Sequence, residues 1–298
     1  MSVTVVGSVA LDTVETSEGK NIEGLGGAAT FFSLAAANYA PVHLVGVVGD
    51  DFPDAHIQTF ASKGIVLDGL ERVAGKTFRW TGKYHDDMNN RDTLHTELNV
   101  FEDFHPKLPE AARCNKYLFL GNIHPALQME VFEQTKPQFV ALDTMDLWIN
   151  IALDDLKRVL AKVDALIIND SEVKELTGLK NLVTGAEAIQ KLGPKIVVIK
   201  KGEHGSLLFS DDGIFAAPAM PLRHVADPTG AGDTFAGGFM GCIAKEDSTS
   251  AATLKRAVIH GTVVASFTCE KFGPNRLIEI GSKDIEQRFA QIRELAAF

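Results

Sequence analysis

The chain has 298 residues, of which 45% are hydrophobic and 23% charged, and its formal net charge at pH 7 is −10. This profile is typical of a soluble globular enzyme, and the acidic balance repels nucleic acid and anionic membrane surfaces, so we expect neither as a partner. No apolar run reaches the roughly 18 to 20 residues of a membrane-spanning helix. The three cysteines form no CxxC motif, and this sparse cysteine content favours a reducing, cytoplasmic location.

Short apolar runs alternate with helical patterns along the chain. The first run, at residues 3–9, has no positive charge before it and predicts a strand rather than a secretory signal. Further buried strands are predicted at residues 42–48, 117–120, 139–142, 165–168 and 196–199. Apolar spacing of three and four predicts helices at residues 28–39, 54–63, 125–134, 149–160, 184–192, 231–244, 250–267 and 283–295, with a hairpin at residues 206–216. The alternation favours an α/β fold in one domain, residues 1–298, with a mostly parallel sheet flanked by helices.

Residues 76–100 differ from this alternation of strands and helices, because their apolar and polar residues alternate with a period of two. Phe78, Trp80 and Tyr84 fall on one side of the predicted hairpin. Its other side carries Arg79, Thr81, Lys83 and His85. Together with residues 12–25, this hairpin could form a small sheet that lies over a cleft as a lid. An ordinary surface hairpin is the equally open alternative.

The first glycine cluster, Gly24-Leu25-Gly26-Gly27-Ala28-Ala29, fits the pattern GxGxxA. This pattern raises the alternative of an NAD-dependent oxidoreductase. A dinucleotide site requires a strand directly before the first glycine, and residues 14–23 have no apolar run that predicts one. The glycines therefore favour a close approach of backbone to a ligand or a neighbouring strand.

The second cluster, ADPTGAGDTF at residues 226–235, runs into a predicted helix. Gly230 and Gly232 allow successive N–H groups to point outward at a helix start, where partial positive charge favours an anion. Asp233 fits a general base beside this anion hole, and we expect the helix start to favour its ionised form. The alternative is that Asp233 only caps the helix. The chain has no GxxxxGK[ST] motif, which excludes a P-loop.

The run DPTGAGDTFAGGF resembles the C-terminal signature of the ribokinase-like sugar kinases, the PfkB family. The resemblance extends over nearly the whole chain, because four other motifs follow the family's order. They are Asp12 after the first strand, Gly26-Gly27, Asn169-Asp170-Ser171-Glu172, and Lys201-Gly202-Glu203-His204-Gly205. The resemblance implies a ribokinase-like fold with a β-sheet lid, and ATP-dependent phosphorylation of a hydroxymethyl group.

The resemblance also implies roles for individual residues. Asp233 is the expected base and Gly230, Ala231 and Gly232 form the expected anion hole, while Asp12, Gly26 and Gly27 bind sugar hydroxyls. Asn169 and Glu172 help to place Mg²⁺ through its waters, as suits an ion that keeps its water ligands. Lys201, Gly202, Gly205 and Thr229 contact ATP, and His260, Gly261 and Val264 lie near the adenine. Asp227 and Gly273 belong to a monovalent-cation site for which K⁺ is the candidate, although Asp227 before Pro228 equally suits a turn.

The chain departs from the family pattern at Phe31, where many members have an asparagine that binds substrate hydroxyls. An aromatic wall of Phe31, Trp80 and Tyr84 would favour a nucleoside base or a less polar sugar face. Phe31 equally fits the core. The basic lid residues Arg79, Lys83 and Arg91 suit either a phosphorylated sugar or a soluble surface.

The sequence therefore predicts a kinase that uses ATP and Mg²⁺ to phosphorylate a sugar or nucleoside. The alternatives are the NAD-dependent oxidoreductase and a nucleotide-binding sensor without turnover on the same scaffold. A homodimer that pairs through the lid edges is also open.

Overall fold

The computed structural model describes residues 1–297. The strands in chain order are β1 (Val3–Val6), β2 (Ala10–Thr16), β3 (Gly19–Gly26), β4 (Val42–Gly49), β5 (Val66–Val73), β6 (Phe78–Tyr84), β7 (Arg91–Glu97), β8 (Tyr117–Leu120), β9 (Phe139–Asp143), β10 (Ala165–Asn169), β11 (Ile196–Lys200), β12 (Ser206–Ser210) and β13 (Gly213–Ala217). The helices are α1 (Ala28–Ala36), α2 (Asp54–Ser62), α3 (Glu110–Arg113), α4 (Pro125–Glu133), α5 (Asp146–Ile151), α6 (Leu153–Leu160), α7 (Asp170–Thr177), α8 (Leu182–Gln190), α9 (Ala231–Glu246), α10 (Ala251–Thr268), α11 (Asn275–Glu279) and α12 (Ser282–Leu295).

The larger sheet has nine strands in the order β13-β12-β11-β10-β9-β8-β1-β4-β5. Its neighbours are parallel except for the antiparallel pairs that β12 forms with β11 and β13. Apolar side chains pack on both faces, with α1, α9 and α10 against one and α4, α6 and α8 against the other. The predicted α/β fold is confirmed. Among the described residues no helix has the length and hydropathy needed to cross a membrane.

A second sheet of four strands has the order β3-β2-β6-β7. Its hairpin β6–β7 lies within the predicted range 76–100, so the second sheet is confirmed. The prediction that no strand precedes Gly24 is wrong, because β3 occupies that position and pairs antiparallel with β2. Strand β3 lies at the sheet edge and is largely exposed, so it needs few apolar residues and leaves no buried-strand pattern. Strand β5, at the edge of the larger sheet, was missed for the same reason.

The carboxyl ends of the parallel strands lie along one edge of the larger sheet. In open α/β sheets ligands bind outside this edge. Asp143, Asn169 and Lys200 are the last residues of β9, β10 and β11, and Ser8 follows the end of β1 by two residues. The fold therefore collects polar side chains from distant segments beside the start of α9.

Candidate active site

The turn before α9 is held open by a glycine. Gly230 has φ 74° and ψ 2°, in the left-handed region that favours glycine. A Cβ at this position would collide with the ring of Phe31, which is only 2% exposed. The placement of Phe31 therefore favours the core alternative, with its ring packed under the turn.

The N–H groups of this turn do not all face outward. Ala231 N donates to Pro228 O at 3.1 Å and Thr234 N donates to Gly230 O at 2.8 Å. The N–H groups of Gly230 and Gly232 have no protein acceptor among residues 1–297. Two of the three expected anion-hole residues thus present a free donor, and Ala231 supports the turn instead.

Asp233 is the third residue of α9 and is half-buried. The N-cap residue, Gly230, has no side chain that could cap the helix, and the Asp233 carboxylate interacts with its own backbone N–H, so the capping alternative stays open. Burial, reinforced by the Asp143 carboxylate, raises the pKa of Asp233 to about 7, although Lys200 and Arg91 oppose the shift. Burial therefore acts against the expectation that the helix start favours the ionised form of Asp233, and the net direction of the pKa shift is upward.

Asp12 and the two glycines of the first cluster form one unit. Asp12 Oδ2 accepts a hydrogen bond from Gly27 N at 3.2 Å, and any side chain at Gly26 would collide with the Asp12 carboxylate. Burial first, with added repulsion from Asp227 and Asp233, raises the pKa of Asp12 to about 7. The structure therefore brings Asp12 and Asp233 into one site.

Ser8, which sequence analysis missed, fixes the start of α1 beside this unit. Its Oγ accepts from Ala28 N at 3.0 Å and its carbonyl accepts from Ala29 N at 2.9 Å. Gly27 has φ 92°, and a Cβ there would lie 2.5 Å from Ser8 O. Only glycine allows the helix to begin this close to the end of β1.

Asn169 and Glu172 form a capping box at the start of α7. Glu172 N donates to Asn169 Oδ1 and Asn169 N donates to Glu172 Oε2, each at 2.9 Å. Burial raises the pKa of the half-buried Glu172 to about 7, against the attraction of Lys200. Within residues 1–297 no three His, Cys, Asp or Glu side chains are close enough to bind a metal by themselves.

Asp143 and Lys200 are site residues that sequence analysis also missed. Asp143 ends β9 and Lys200 ends β11, and their Oδ1 and Nζ atoms lie 3.6 Å apart. Lys200 Nζ is 2.9 Å from where a Cβ at Gly232 would lie. The sequence pattern that could have identified them is a single charged residue at the end of an otherwise apolar strand, as in FVALD and IVVIK.

The hairpin contacts the anion turn through Tyr84. Thr229 Oγ1 donates to the buried Tyr84 hydroxyl at 3.4 Å. Trp80 donates through Nε1 to Thr93 Oγ1 at 3.2 Å, and its ring occupies the space that a side chain at Gly82 would need. Trp80 therefore lies flat along the sheet, on the same face as Tyr84.

Two of the three basic hairpin residues are held in ion pairs. Arg79 Nη2 lies 2.7 Å from Asp51 Oδ2, and Arg79 Nε lies 2.9 Å from Glu23 Oε1. Lys83 Nζ lies 2.6 Å from Glu15 Oε1. The guanidinium of Arg91 instead lies over the Trp80 ring, 5.9 Å from its centroid, and its charge lowers the pKa of Asp233. Arg91 is thus the basic residue of this set whose charge acts on the catalytic candidate.

The loop after β11 contacts the tip of the hairpin. Gly202 has φ 54°, and a Cβ there would lie 3.0 Å from Asn89 Oδ1. Lys201 N donates to Gly205 O at 2.8 Å, and Gly205, at φ 79°, leaves no room for a side chain beside Ala217 O. The hairpin therefore reaches across the sheet edge to the predicted nucleotide loop.

His260, Gly261 and Val264 lie in α10 where it packs on its neighbours. A Cβ at Gly261 would lie 2.8 Å from Phe235 O in α9, and Val264 is fully buried. The His260 ring bonds Tyr39 at 3.1 Å and stacks on Phe289. Their contacts are thus with α9, Tyr39 and α12, and a contact with adenine stays a prediction.

Asp227 ties two segments together. Its Oδ1 accepts from Thr229 N at 2.8 Å and its Oδ2 accepts from Gly273 N at 2.9 Å. Burial raises its pKa, and these hydrogen bonds oppose the shift. The contacts make Asp227 a turn former, and a cation beside it stays a prediction.

The oxidoreductase alternative loses its structural basis here. Gly24 and Gly26 belong to β3 in the second sheet, whereas a dinucleotide site needs these glycines after a strand of the main parallel sheet. These glycines do lie in a strand, but β3 is an edge strand of the smaller sheet and not the strand that the dinucleotide motif requires.

The chain is similar to known kinases in sequence and in fold. A cytidine kinase from Thermococcus kodakarensis is 31% identical over 250 residues, 80% of this chain and 87% of that protein. A nucleoside kinase from Methanothermobacter thermautotrophicus is 25% identical over 272 residues, 89% of this chain and 85% of that protein. An E. coli protein described as a ribokinase II, solved in complex with ATP and Mg²⁺, shares the fold with a TM-score of 0.79 at 19% identity, covering 97% of this chain and 99% of that one. The sequence model for pfkB family carbohydrate kinases matches residues 2–280, a range that holds every candidate site residue, and the chain belongs to this family.

Proposed function

We propose that this kinase transfers the γ-phosphoryl group of ATP to the hydroxymethyl group of a nucleoside or sugar. The observation that carries the proposal is the start of α9. There a half-buried carboxyl group, that of Asp233, has a pKa raised to about 7 and lies beside the free N–H groups of Gly230 and Gly232. A base whose pKa is near the working pH is suited to accept the proton of an attacking hydroxyl.

Each part of the site then has one task. Asp233 takes the proton from the acceptor hydroxymethyl oxygen, and the N–H groups of Gly230 and Gly232 hold the phosphoryl oxygens where negative charge builds up. Asp12, fixed by Gly27 N, accepts hydrogen bonds from acceptor hydroxyls. This division suits phosphoryl transfer, which asks a protein mainly for positioning and charge stabilisation.

The chain also offers residues that fit ATP and Mg²⁺. The free N–H groups and the half-buried Lys200 ammonium suit phosphates. The Asn169–Glu172 cap leaves Glu172 Oε1 as an acceptor for a metal-bound water. Mg²⁺ would neutralise charge on the phosphates and keep most of its waters. The Lys201–Gly205 loop, with Thr229, is the proposed place for the rest of the nucleotide.

A nucleoside is the favoured acceptor class. Trp80 lies flat on the face of the sheet that carries Tyr84, a geometry suited to stacking on a base. The similarity to a cytidine kinase and a nucleoside kinase points the same way. The second sheet is the proposed lid over this acceptor.

Two of the wider expectations stay predictions. The outer lid strands β3 and β7 expose Ile22 and Leu94 at 70% and 57%, so lid-to-lid pairing is a prediction that the molecular mass in solution tests. A cytoplasmic location is a prediction that fractionation of the source cells tests.

The proposed function is tested by measuring ADP formation with ATP, Mg²⁺ and a panel of nucleosides, pentoses, hexoses and hexose phosphates. We expect ADP to form with nucleosides first. A protein that binds ATP tightly but forms no ADP with any acceptor would instead be the sensor without turnover.

Replacement of Trp80 by alanine should raise the KM for the acceptor about tenfold, the usual effect of losing one aromatic stacking partner. The KM for ATP should not change. The matched control is His85→Ala, which removes an exposed ring from the opposite face of the hairpin. An unchanged acceptor KM in Trp80→Ala would place this ring outside the acceptor site.

Glu172→Gln should raise the Mg²⁺ concentration needed for half-maximal rate and lower kcat, because an amide orients metal-bound water less well than a carboxylate. Glutamine at this position can still complete the capping box, so the fold should be preserved. Glu175→Gln, on the exposed side of α7, is the control. A Mg²⁺ titration identical to that of the wild type would contradict the role of Glu172.

Potassium should raise the rate, because a monovalent cation beside the buried Asp227 would favour its ionised form and steady the anion turn through Thr229. The measurement compares initial rates in potassium, sodium and a bulky organic cation at equal ionic strength. Equal rates in all three would leave Asp227 as a turn former only.

A further inference from the structure

Lys200 ends β11 and is a lysine placed in the interior of the site. Its side chain is only 18% exposed. Its Nζ lies beside the Cα of Gly232, on the side where a Cβ would project. Gly232 carries one of the free N–H groups of the anion turn. The Lys200 ammonium therefore lies next to the residue that supplies this donor.

The Lys200 ammonium has unused hydrogen-bonding capacity. An ammonium has three N–H donors, yet within the described residues Nζ donates no hydrogen bond shorter than 3.5 Å, and its nearest carboxylate oxygen, Asp143 Oδ1, is 3.6 Å away. That oxygen is itself buried without a hydrogen-bond partner among residues 1–297. Buried polar groups are seldom left unpaired in this way. The Lys200 ammonium can therefore donate hydrogen bonds to a further polar group at this place.

The charges around Lys200 keep it protonated. Burial alone would lower its pKa, but the carboxylates of Asp143, Glu172 and Asp233 outweigh burial and raise it. The residue therefore brings a permanent positive charge to the point where the base, the anion turn and the proposed metal-orienting acid converge.

We propose that Lys200 is a catalytic residue that donates hydrogen bonds to the phosphoryl group in transfer, and that Asp143 is the positioning residue that holds it. This proposal rests on the proposed function. In the transfer, a bond forms between the acceptor oxygen and the γ-phosphorus, the bond from that phosphorus to the bridging oxygen of ADP breaks, and the acceptor proton passes to Asp233. Lys200 keeps its protons throughout and stabilises the equatorial oxygens.

The competing interpretation is that Lys200 only balances the buried charge of Asp143. The two interpretations differ when both members of the pair are made neutral. Charge balance would be restored in Asp143→Asn/Lys200→Met, whereas a missing phosphate donor would not. Because Lys200→Met alone leaves Asp143 without its counter-charge and risks misfolding, the double variant is the decisive one.

The experiment compares the wild type, Lys200→Met, the double variant and the control Lys195→Met, an exposed lysine just before the opposite end of β11. Calorimetry measures the Kd of ADP and of a non-hydrolysable ATP analogue with Mg²⁺, and ADP formation measures kcat. We expect both Lys200 variants to weaken the analogue about tenfold more than ADP and to lower kcat about a hundredfold, the range for loss of one transition-state donor. Lys195→Met should match the wild type.

Either of two results would overturn the proposal: equal weakening of ADP and the analogue in Lys200→Met, or recovery of wild-type kcat in the double variant. Failure of the proposed function looks different. In that case the wild type itself forms no ADP with any acceptor.

Discussion

Asp233→Asn is expected to lower kcat by a hundredfold or more while nucleotide affinity is unchanged. The amide has nearly the same size but cannot accept the acceptor proton, and positioned proton transfer contributes about 10²- to 10⁴-fold. The variant should also lose a pH dependence that the wild type shows. Because the pKa of Asp233 is raised to about 7, the wild-type kcat should fall as the pH drops through that value, when the base gains a proton.

Steady-state rates from pH 5.5 to 8.5 and the melting temperature of both proteins measure these effects. If Asp233 were only a helix cap, the variant would lose roughly 1 kcal/mol of stability and keep its turnover. A variant that is as stable and as active as the wild type would remove Asp233 from the chemistry altogether.

Gly230→Ala is expected to have the second-largest effect, a loss of about a hundredfold in kcat. The methyl group would collide with the Phe31 ring, and φ 74° is unfavourable for alanine. The turn must shift, and with it the N–H donors of Gly230 and Gly232, each of which is comparable to an oxyanion-hole donor. The measurement is kcat together with the Kd of an ATP analogue.

Gly64→Ala is the matched control, because Gly64 has φ 69° with nothing within 4 Å of the added methyl group. It should cost a little stability and no activity. Phe31→Ala combined with Gly230→Ala removes the collision and should recover part of the rate. A Gly230→Ala enzyme with wild-type kcat would show that the turn does not hold the phosphoryl group.

The anion turn and Asp233 could be predicted because all their information lies within ten consecutive residues. Asp143 and Lys200 could not, because they come together only through the pairing of β9, β10 and β11. Each is a single charge at the end of an apolar strand. Their relation depends on the strand order, which apolar runs alone do not specify.

The hairpin also combines a local feature that the sequence predicts with distant contacts that it does not. Its period of two predicted that Trp80 and Tyr84 share a face, since alternation is a local property. The partners of Arg79 and Lys83 come from distant segments, at Asp51, Glu23 and Glu15. The sequence therefore could not show which basic residue acts on the site. The tertiary structure shows that it is Arg91.

Three carboxyl groups of the site link proton binding to folding. Asp12, Glu172 and Asp233 each have a pKa raised to about 7 in the folded protein, whereas in an unfolded chain they would lose their protons near pH 4, roughly. As the pH rises from about 4 to about 7, the unfolded chain releases protons that the folded protein still holds, so the free energy of unfolding falls, and above about 7 the loss is complete. Glu246, whose pKa is lowered from 4.5 to about 2, adds stability until the unfolded glutamate is ionised, so it offsets this slope only at its acid end, near pH 4 to 5, roughly. These carboxyl groups thus lower the stability of the ligand-free protein most in the pH range where Asp233 is ionised and able to act as a base.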